Sequence, residues 1–130
     1  MLVVDASIVV HLAIHGGRPQ ALSDEDLIGP PLLWSEATSA IHELAFRGDI
    51  TVDAAAAAIA GLTDLGIERR EDPGLYIEAS RVARQLGWAK TYDAEYVALT
   101  QLTDCRLLTR DARLRRGAAR LVDVVGPTEL

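Results

Sequence analysis

Cysteine is nearly missing from this chain. Cys105 is the only one in 130 residues, so no intramolecular disulfide can form, and a reducing cytoplasm is the expected setting. Lysine is as scarce, with Lys90 standing alone. A phosphoacceptor domain of receiver type needs a lysine near its last strand and an acidic pair after its first. Here Asp5 follows the first apolar run singly, which also argues against a phosphatase requiring Asp-x-Asp. No long apolar run is present either. The opening "MLVVDASIVVHLAI" is broken by Asp5, has no basic residues before its apolar part and is too short for a span, so neither a signal peptide nor a membrane segment is expected. Net positive charge is lacking too. A formal charge of −6 argues against coating nucleic acid through the overall field, but leaves room for a local basic groove or a basic partner.

What remains is ordinary soluble-protein material, 49% apolar and 25% charged, with enough length for one domain over residues 1–130. "LVV" (2–4) reads as a short strand and "ASIVVHLAI" as a helix. "SDEDL" suggests a polar cap or short helix, and "GPP" (29–31) a breaker. "SEATSAIHELAFRG" predicts a helix with Ser35 as N-cap, Ala37, Ile41, Leu44 and Ala45 apolar, and Gly48 as the stop. "TVDAAAAAIAGLTDLG" predicts another, capped by Thr51 and ended at Gly66. "IERRED" is a weak strand or a loop. "PGLYIEASRVARQLG" has one apolar face at Leu75, Ala79, Val82, Ala83 and Leu86, and the next helix one at Ala94, Val97, Ala98 and Leu102. "CRLL" (105–108) reads as a buried strand, "DARLRRG" as a short helix and "RLVDVV" (120–125) as the last strand. Helices between short apolar strands predict an α/β domain with a mainly parallel sheet.

Ligands in such sheets sit at the carboxyl ends of strands. Asp5 lies at the end of "LVV", and Thr109 and Asp111 lie just past "CRLL". Asp93 falls at a helix entry and Glu36 in the expected first turn of its helix. All four acids have a plain structural alternative as caps or helix-dipole partners, at roughly 0.3–1 kcal/mol each. Asp5 strains that alternative, because an acid between an apolar strand and an apolar helix is costly to bury without compensation.

The segments "VVDAS" (3–7), Glu36 after "PPLLWS", "TYDAEYVALTQL" (91–102) and "LLTRDARL" (107–114) together resemble the PIN-domain ribonucleases. In particular they are similar to the VapC toxins of bacterial and archaeal toxin–antitoxin pairs. The resemblance runs through nearly the whole chain in order, with only about residues 50–90 carrying no motif. It implies a PIN-like α/β/α sandwich with a mainly parallel central sheet. It also implies an acid cluster of Asp5, Glu36, Asp93 and Asp111 that binds one or two Mg²⁺ or Mn²⁺ ions and hydrolyses RNA. Ser7 and Thr109 match hydroxyl positions that line the site. A cognate antitoxin and a homodimer are the implied protein partners.

Elementary chemistry agrees with a cation. Two carboxylates about 4 Å apart repel by about 4 kcal/mol at an effective dielectric near 20, and hard divalent cations favour oxygen ligands. Asp5, Asp93 and Asp111 are the expected metal ligands, with Glu36 either a ligand or the base that orients the attacking water. Glu43 and Glu95 are expected on the surface and Cys105 in the core. His11, His15 and His42 lack zinc-ligand spacing. Arg110, Arg113, Arg115 and Arg116 lie beside the proposed site as candidate phosphate contacts, with a solvated face or antitoxin docking as the alternative. Trp34, Trp88 and Tyr92 are candidate stacking platforms, core packing being the alternative for the tryptophans. The Ala54–Ala58 run gives a smooth helix suited to close packing against another chain. The competing functional reading is a catalytically silent PIN-like module that binds RNA or protein.

Overall fold

The computed structural model describes residues 1–130 and contains five strands and six helices, with single 3₁₀ turns between some of them. The strands are β1 (Leu2–Val4), β2 (Leu27–Gly29), β3 (Ile67–Arg69), β4 (Arg106–Leu108) and β5 (Val124–Val125). The helices are α1 (Ala6–Ile14), α2 (Leu32–Phe46), α3 (Val52–Ala60), α4 (Leu75–Leu86), α5 (Tyr92–Thr103) and α6 (Ala112–Ala118). Every strand pairing is parallel, in the order β3-β2-β1-β4-β5. The α/β sandwich expected from the alternation is therefore present. All three residues of β1 are fully buried, as befits the middle strand of a sheet covered on both faces.

The chain winds outward from β1 through β2 to β3, then returns to place β4 and β5 on the other side. The order therefore reverses between β1 and β4, and the crevice beyond their carboxyl ends is the natural ligand position. α1, α2 and α3 pack on one another, α4 and α5 form a second pair, and α5 lies against β1 and β4. No helix is long and apolar enough to cross a membrane.

Local chemistry explains most of the boundaries. Thr51 Oγ1 accepts the Ala54 N–H and caps α3, and Gly66 closes the 3₁₀ turn after it in the left-handed region. The expected apolar face of α4 is buried at all five positions. Four expectations need correction. "SDEDL" is no helix but leads by turns into β2, a three-residue strand too short for alternation to register. α2 begins at Leu32, not after Ser35, because Pro31 occupies its cap and proline is favoured at a helix entry. Glu36 consequently sits in the second turn. The last strand is only Val124–Val125, since turns closed by Arg120, Leu121 and Val122 onto Gly117 and Ala118 consume its expected first half.

The fourth correction concerns α5. Its residues Ala94 to Thr100 are all buried, so it is enclosed rather than striped, and Leu102 near its end is 39% exposed. Glu95, expected on the surface, is 7% exposed. The side of α5 that helical periodicity assigns to solvent is partly covered by α4.

Candidate active site

The pairing of β1 with β4 sets the first half of the site. Val4 lies opposite Leu108, so Asp5 and Thr109 leave the sheet side by side, 4% and 2% exposed. Asp5 Oδ2 accepts a hydrogen bond from Thr109 Oγ1 at 2.6 Å. Its Oδ1 accepts from Ser7 Oγ at 2.6 Å and from the Ile8 N–H at 3.2 Å, which makes Asp5 the N-cap of α1. The same two hydroxyls accept from the loop after β4. Ser7 Oγ takes the Arg110 N–H at 3.0 Å and Thr109 Oγ1 the Asp111 N–H at 2.9 Å. Asp111 Oδ1 then caps α6 through the N–H groups of Arg113 and Leu114, at 2.8 and 3.3 Å. Asp5 and Asp111 are thus both helix caps, and the cap leaves Asp111 Oδ2 free.

The second half comes from the helices. Glu36 on α2 is half-buried, and the Tyr96 hydroxyl, from α5, donates to its Oε1 at 2.5 Å. Asp93, on the first turn of α5, is exposed and accepts no hydrogen bond from the protein. Glu36, Trp88, Lys90, Tyr92, Asp93 and Arg113 line an open cleft of about 560 Å³. One wall is fixed by packing: a Cβ at Gly117 of α6 would overlap the Trp88 ring, so glycine lets the indole lie directly on that helix.

The four acids are electrostatically joined. Burial pushes the Asp5 carboxyl up from its ordinary value, hydrogen bonds from Ser7, Thr109 and Ile8 pull it back, and Asp111 adds to the rise. Glu36 is raised chiefly by burial, opposed by the Tyr96 hydroxyl and reinforced by Asp93 and Asp5. Although the residue is exposed overall, Asp93 is raised first by partial desolvation of its carboxyl in the cleft and then by Asp111, with Arg113 pulling the other way. The repulsions close a ring, Asp5 to Asp111 to Asp93 to Glu36 and back to Asp5. Such a ring of like charge is relieved by protons or by a cation.

The donor set suits a hard divalent ion, being all carboxylate oxygen with Asp93, Glu36 Oε2 and Asp111 Oδ2 unengaged by the protein. No three acidic, histidine or cysteine side chains are gathered tightly enough to hold an ion unaided. An ion here would therefore have fewer than three of these side chains as direct ligands, with waters filling its other positions. That spacing does not fit a dry, all-protein cage.

Comparison with known proteins gives the family. The PIN domain pattern matches residues 2–120. The chain belongs to the PIN domain family. It is 32% identical over 115 residues to a VapC ribonuclease of Mycobacterium bovis and to ribonuclease VapC9 of Mycobacterium tuberculosis, covering 88% of this chain and of each relative. Among solved structures it resembles PAE2754 from Pyrobaculum aerophilum, with a TM-score of 0.77 and 26% identity over 98% of this chain and 90% of that one. FitAcB from Neisseria gonorrhoeae shares the fold, with a TM-score of 0.59 and 19% identity over the full length of both chains. The PIN-like sandwich expected from the motifs is thereby established.

Within this PIN domain the four arginines separate. Arg113 lines the cleft beside Asp93. Arg115 is committed to a bidentate ion pair with Glu129. Arg110 lends its N–H to Ser7, while its guanidinium lies near His11, whose imidazole is lowered by burial, then by Arg110 and His15. Arg116 is exposed. Tyr92, 59% exposed, is a free aromatic face at the cleft mouth. Trp34 is half-buried with the Arg69 guanidinium 5.8 Å above its ring, and Cys105 is half-buried against the core. Glu43 is exposed beside Arg47, as expected.

Three residues near these acids drew no site role from the sequence. Tyr96 drew no role of its own within the motif, and nothing local signals that its hydroxyl reaches a residue 60 positions away. Glu95 was assigned to solvent by periodicity. Lys90 drew notice only as the sole lysine, although its place two residues before Tyr92 already put it next to the motif.

Proposed function

We propose that this PIN domain is an endoribonuclease of the VapC type, dependent on Mg²⁺ or Mn²⁺ and held in check by a cognate antitoxin. The observation that carries the reading is that Asp5 and Asp111 stand at the carboxyl ends of the paired strands β1 and β4, while Glu36 and Asp93 line one cleft. Relatives named as ribonucleases support the substrate class.

Asp93 and Asp111, each with a free oxygen, would hold the metal, with Asp5 and Glu36 acting on it directly or through water. When bound, the ion supplies charge neutralisation at the scissile phosphate and lowers the pKa of a water that serves as nucleophile. The chain's own residues do the rest. Ser7 and Thr109 hold Asp5 in one orientation. Glu36, one oxygen occupied by Tyr96, presents the other toward the cleft as a proton acceptor. Arg113 and Lys90 face the phosphates of a single strand, and Tyr92 offers a ring for an unstacked base. The exposed apolar side chains Phe46, Val52, Tyr76 and Ile77 suit coverage by an antitoxin or by a second copy in a homodimer. The cytoplasm is the proposed setting.

The silent binding module keeps one observation in its favour, the absence of a tight three-ligand group. Cleavage decides between the two. The purified chain, free of any partner, is incubated with mixed single-stranded RNA and Mg²⁺ or Mn²⁺, beside an EDTA control and Asp93→Asn. Cleavage abolished in both controls is the expected result. Intact RNA in every lane, together with RNA binding that ignores the metal, would replace the nuclease with the module.

A further inference from the structure

We infer that Tyr96 is a positioning residue for Glu36, its hydroxyl fixing one carboxylate oxygen so that the other is offered to the cleft. Tyr96 is 1% exposed and donates to Glu36 Oε1 across 60 residues of sequence. It lies three residues after Asp93 on α5, so the two project from neighbouring positions of one helix. The same helix therefore delivers an acid to the site and holds a second acid that arrives from α2. A core tyrosine commonly finds a backbone partner. This one finds a carboxylate that Asp5 and Asp93 repel. Glutamate has three side-chain torsions, and a half-buried Glu36 without this bond would swing away from its like-charged neighbours. The hydroxyl holds it against that repulsion. Partners that orient a ligand or base in this way are worth roughly 10- to 100-fold in activity or metal affinity.

The kinetic part of this inference rests on the ribonuclease reading, whereas the geometric part does not. Tyr96→Phe removes the hydroxyl alone and keeps the ring that packs in the core. Single-turnover RNA cleavage, with protein in excess so that slow rates remain measurable, is compared among the wild type, Tyr96→Phe, Glu36→Gln and the double variant. Tyr96→Phe is expected to slow the cleavage step about 10- to 100-fold with RNA affinity unchanged, and to add little further loss to Glu36→Gln. In parallel, NMR of the metal-free wild type is expected to show the Tyr96 hydroxyl proton as a slowly exchanging downfield resonance that Glu36→Ala abolishes. Wild-type cleavage with Tyr96→Phe equally fast overturns the inference while leaving the nuclease intact. So does a loss of equal size in the Glu36→Gln background, which marks a packing effect. If the wild type cleaves nothing, the nuclease reading fails by itself. The hydroxyl resonance then decides the positioning: present and dependent on Glu36, it stands; otherwise it falls.

Discussion

The two walls of the site are built differently. On the β1–β4 wall, Asp5 is buried and both its oxygens accept hydrogen bonds, from Ser7, Thr109 and the Ile8 N–H, while Asp111 is held by capping α6. On the helical wall, Asp93 is exposed and accepts no hydrogen bond from the protein, and Glu36 rests on the single hydroxyl of Tyr96. The first wall is anchored by Asp5 and Thr109, which are buried, and buried polar groups persist only when satisfied; Asp111 is exposed and is fixed by its cap bonds alone. The second faces the cleft, where a cation and substrate would complete its bonding. The two walls thus differ in how far their oxygens are engaged: both of Asp5, one of Asp111, one of Glu36 and none of Asp93.

The largest predicted effect breaks both walls alike. Asp5→Asn and Asp93→Asn should each lower RNA cleavage by at least about 100-fold, since losing a proposed ligand exceeds the loss of an outer partner. Retained activity in either would remove that acid from the ligand set.

Thr109→Val separates the walls. It strips a donor from a buried carboxylate and should destabilise the fold by about 1.5–3 kcal/mol, measured by denaturant unfolding. Tyr96→Phe should instead act mainly on the cleavage rate. If the two variants prove alike in stability and rate, the division between a rigid wall and an open one is wrong.

The charge balance gives a subtler contrast. Asp93 is raised by partial desolvation of its carboxyl, then by Asp111, so the folded chain holds that proton more tightly than the unfolded chain. Its contribution to stability is therefore full below the ordinary carboxylate range and is lost as pH rises through the raised value. Metal-free Asp93→Asn should match the wild type in Tm at acid pH and exceed it by a few degrees near pH 7. Added Mg²⁺ should stabilise the wild type and not the variant. Equal Tm values at every pH would show that neither desolvation nor Asp111 disfavours the ionised Asp93.

The smallest effects distinguish the arginines. Arg113→Ala should weaken RNA binding and reduce the slope of log affinity against log salt by about one. Arg115→Ala should leave both unchanged, because that guanidinium is spent on Glu129. Equal changes would return the whole basic stretch to the RNA interface.

The rigid wall was legible in the sequence and much of the open wall was not. Asp5, Ser7, Thr109 and Asp111 each stand within three residues of a strand end, where local pattern alone predicts their place. The "YDAEY" motif located Asp93, yet the roles of Tyr96 and the burial of Glu95 depend on α2 and α4, which periodicity along α5 cannot see. Glu36 was identified although its helix entry was misplaced by four residues, since Pro31 rather than Ser35 caps α2. β2 was lost because three residues carry too little alternation, although the parallel sheet it belongs to was predictable from its neighbours.

The central claim is that four carboxylates from separate elements act as one divalent-metal site. Titration of the metal-free chain with Mn²⁺, followed by electron paramagnetic resonance, tests it directly. The account predicts saturable binding of one or two ions to the wild type, competed by Mg²⁺ and strongly weakened in Asp93→Asn. Binding of the same strength in that variant, or none in the wild type, would contradict it.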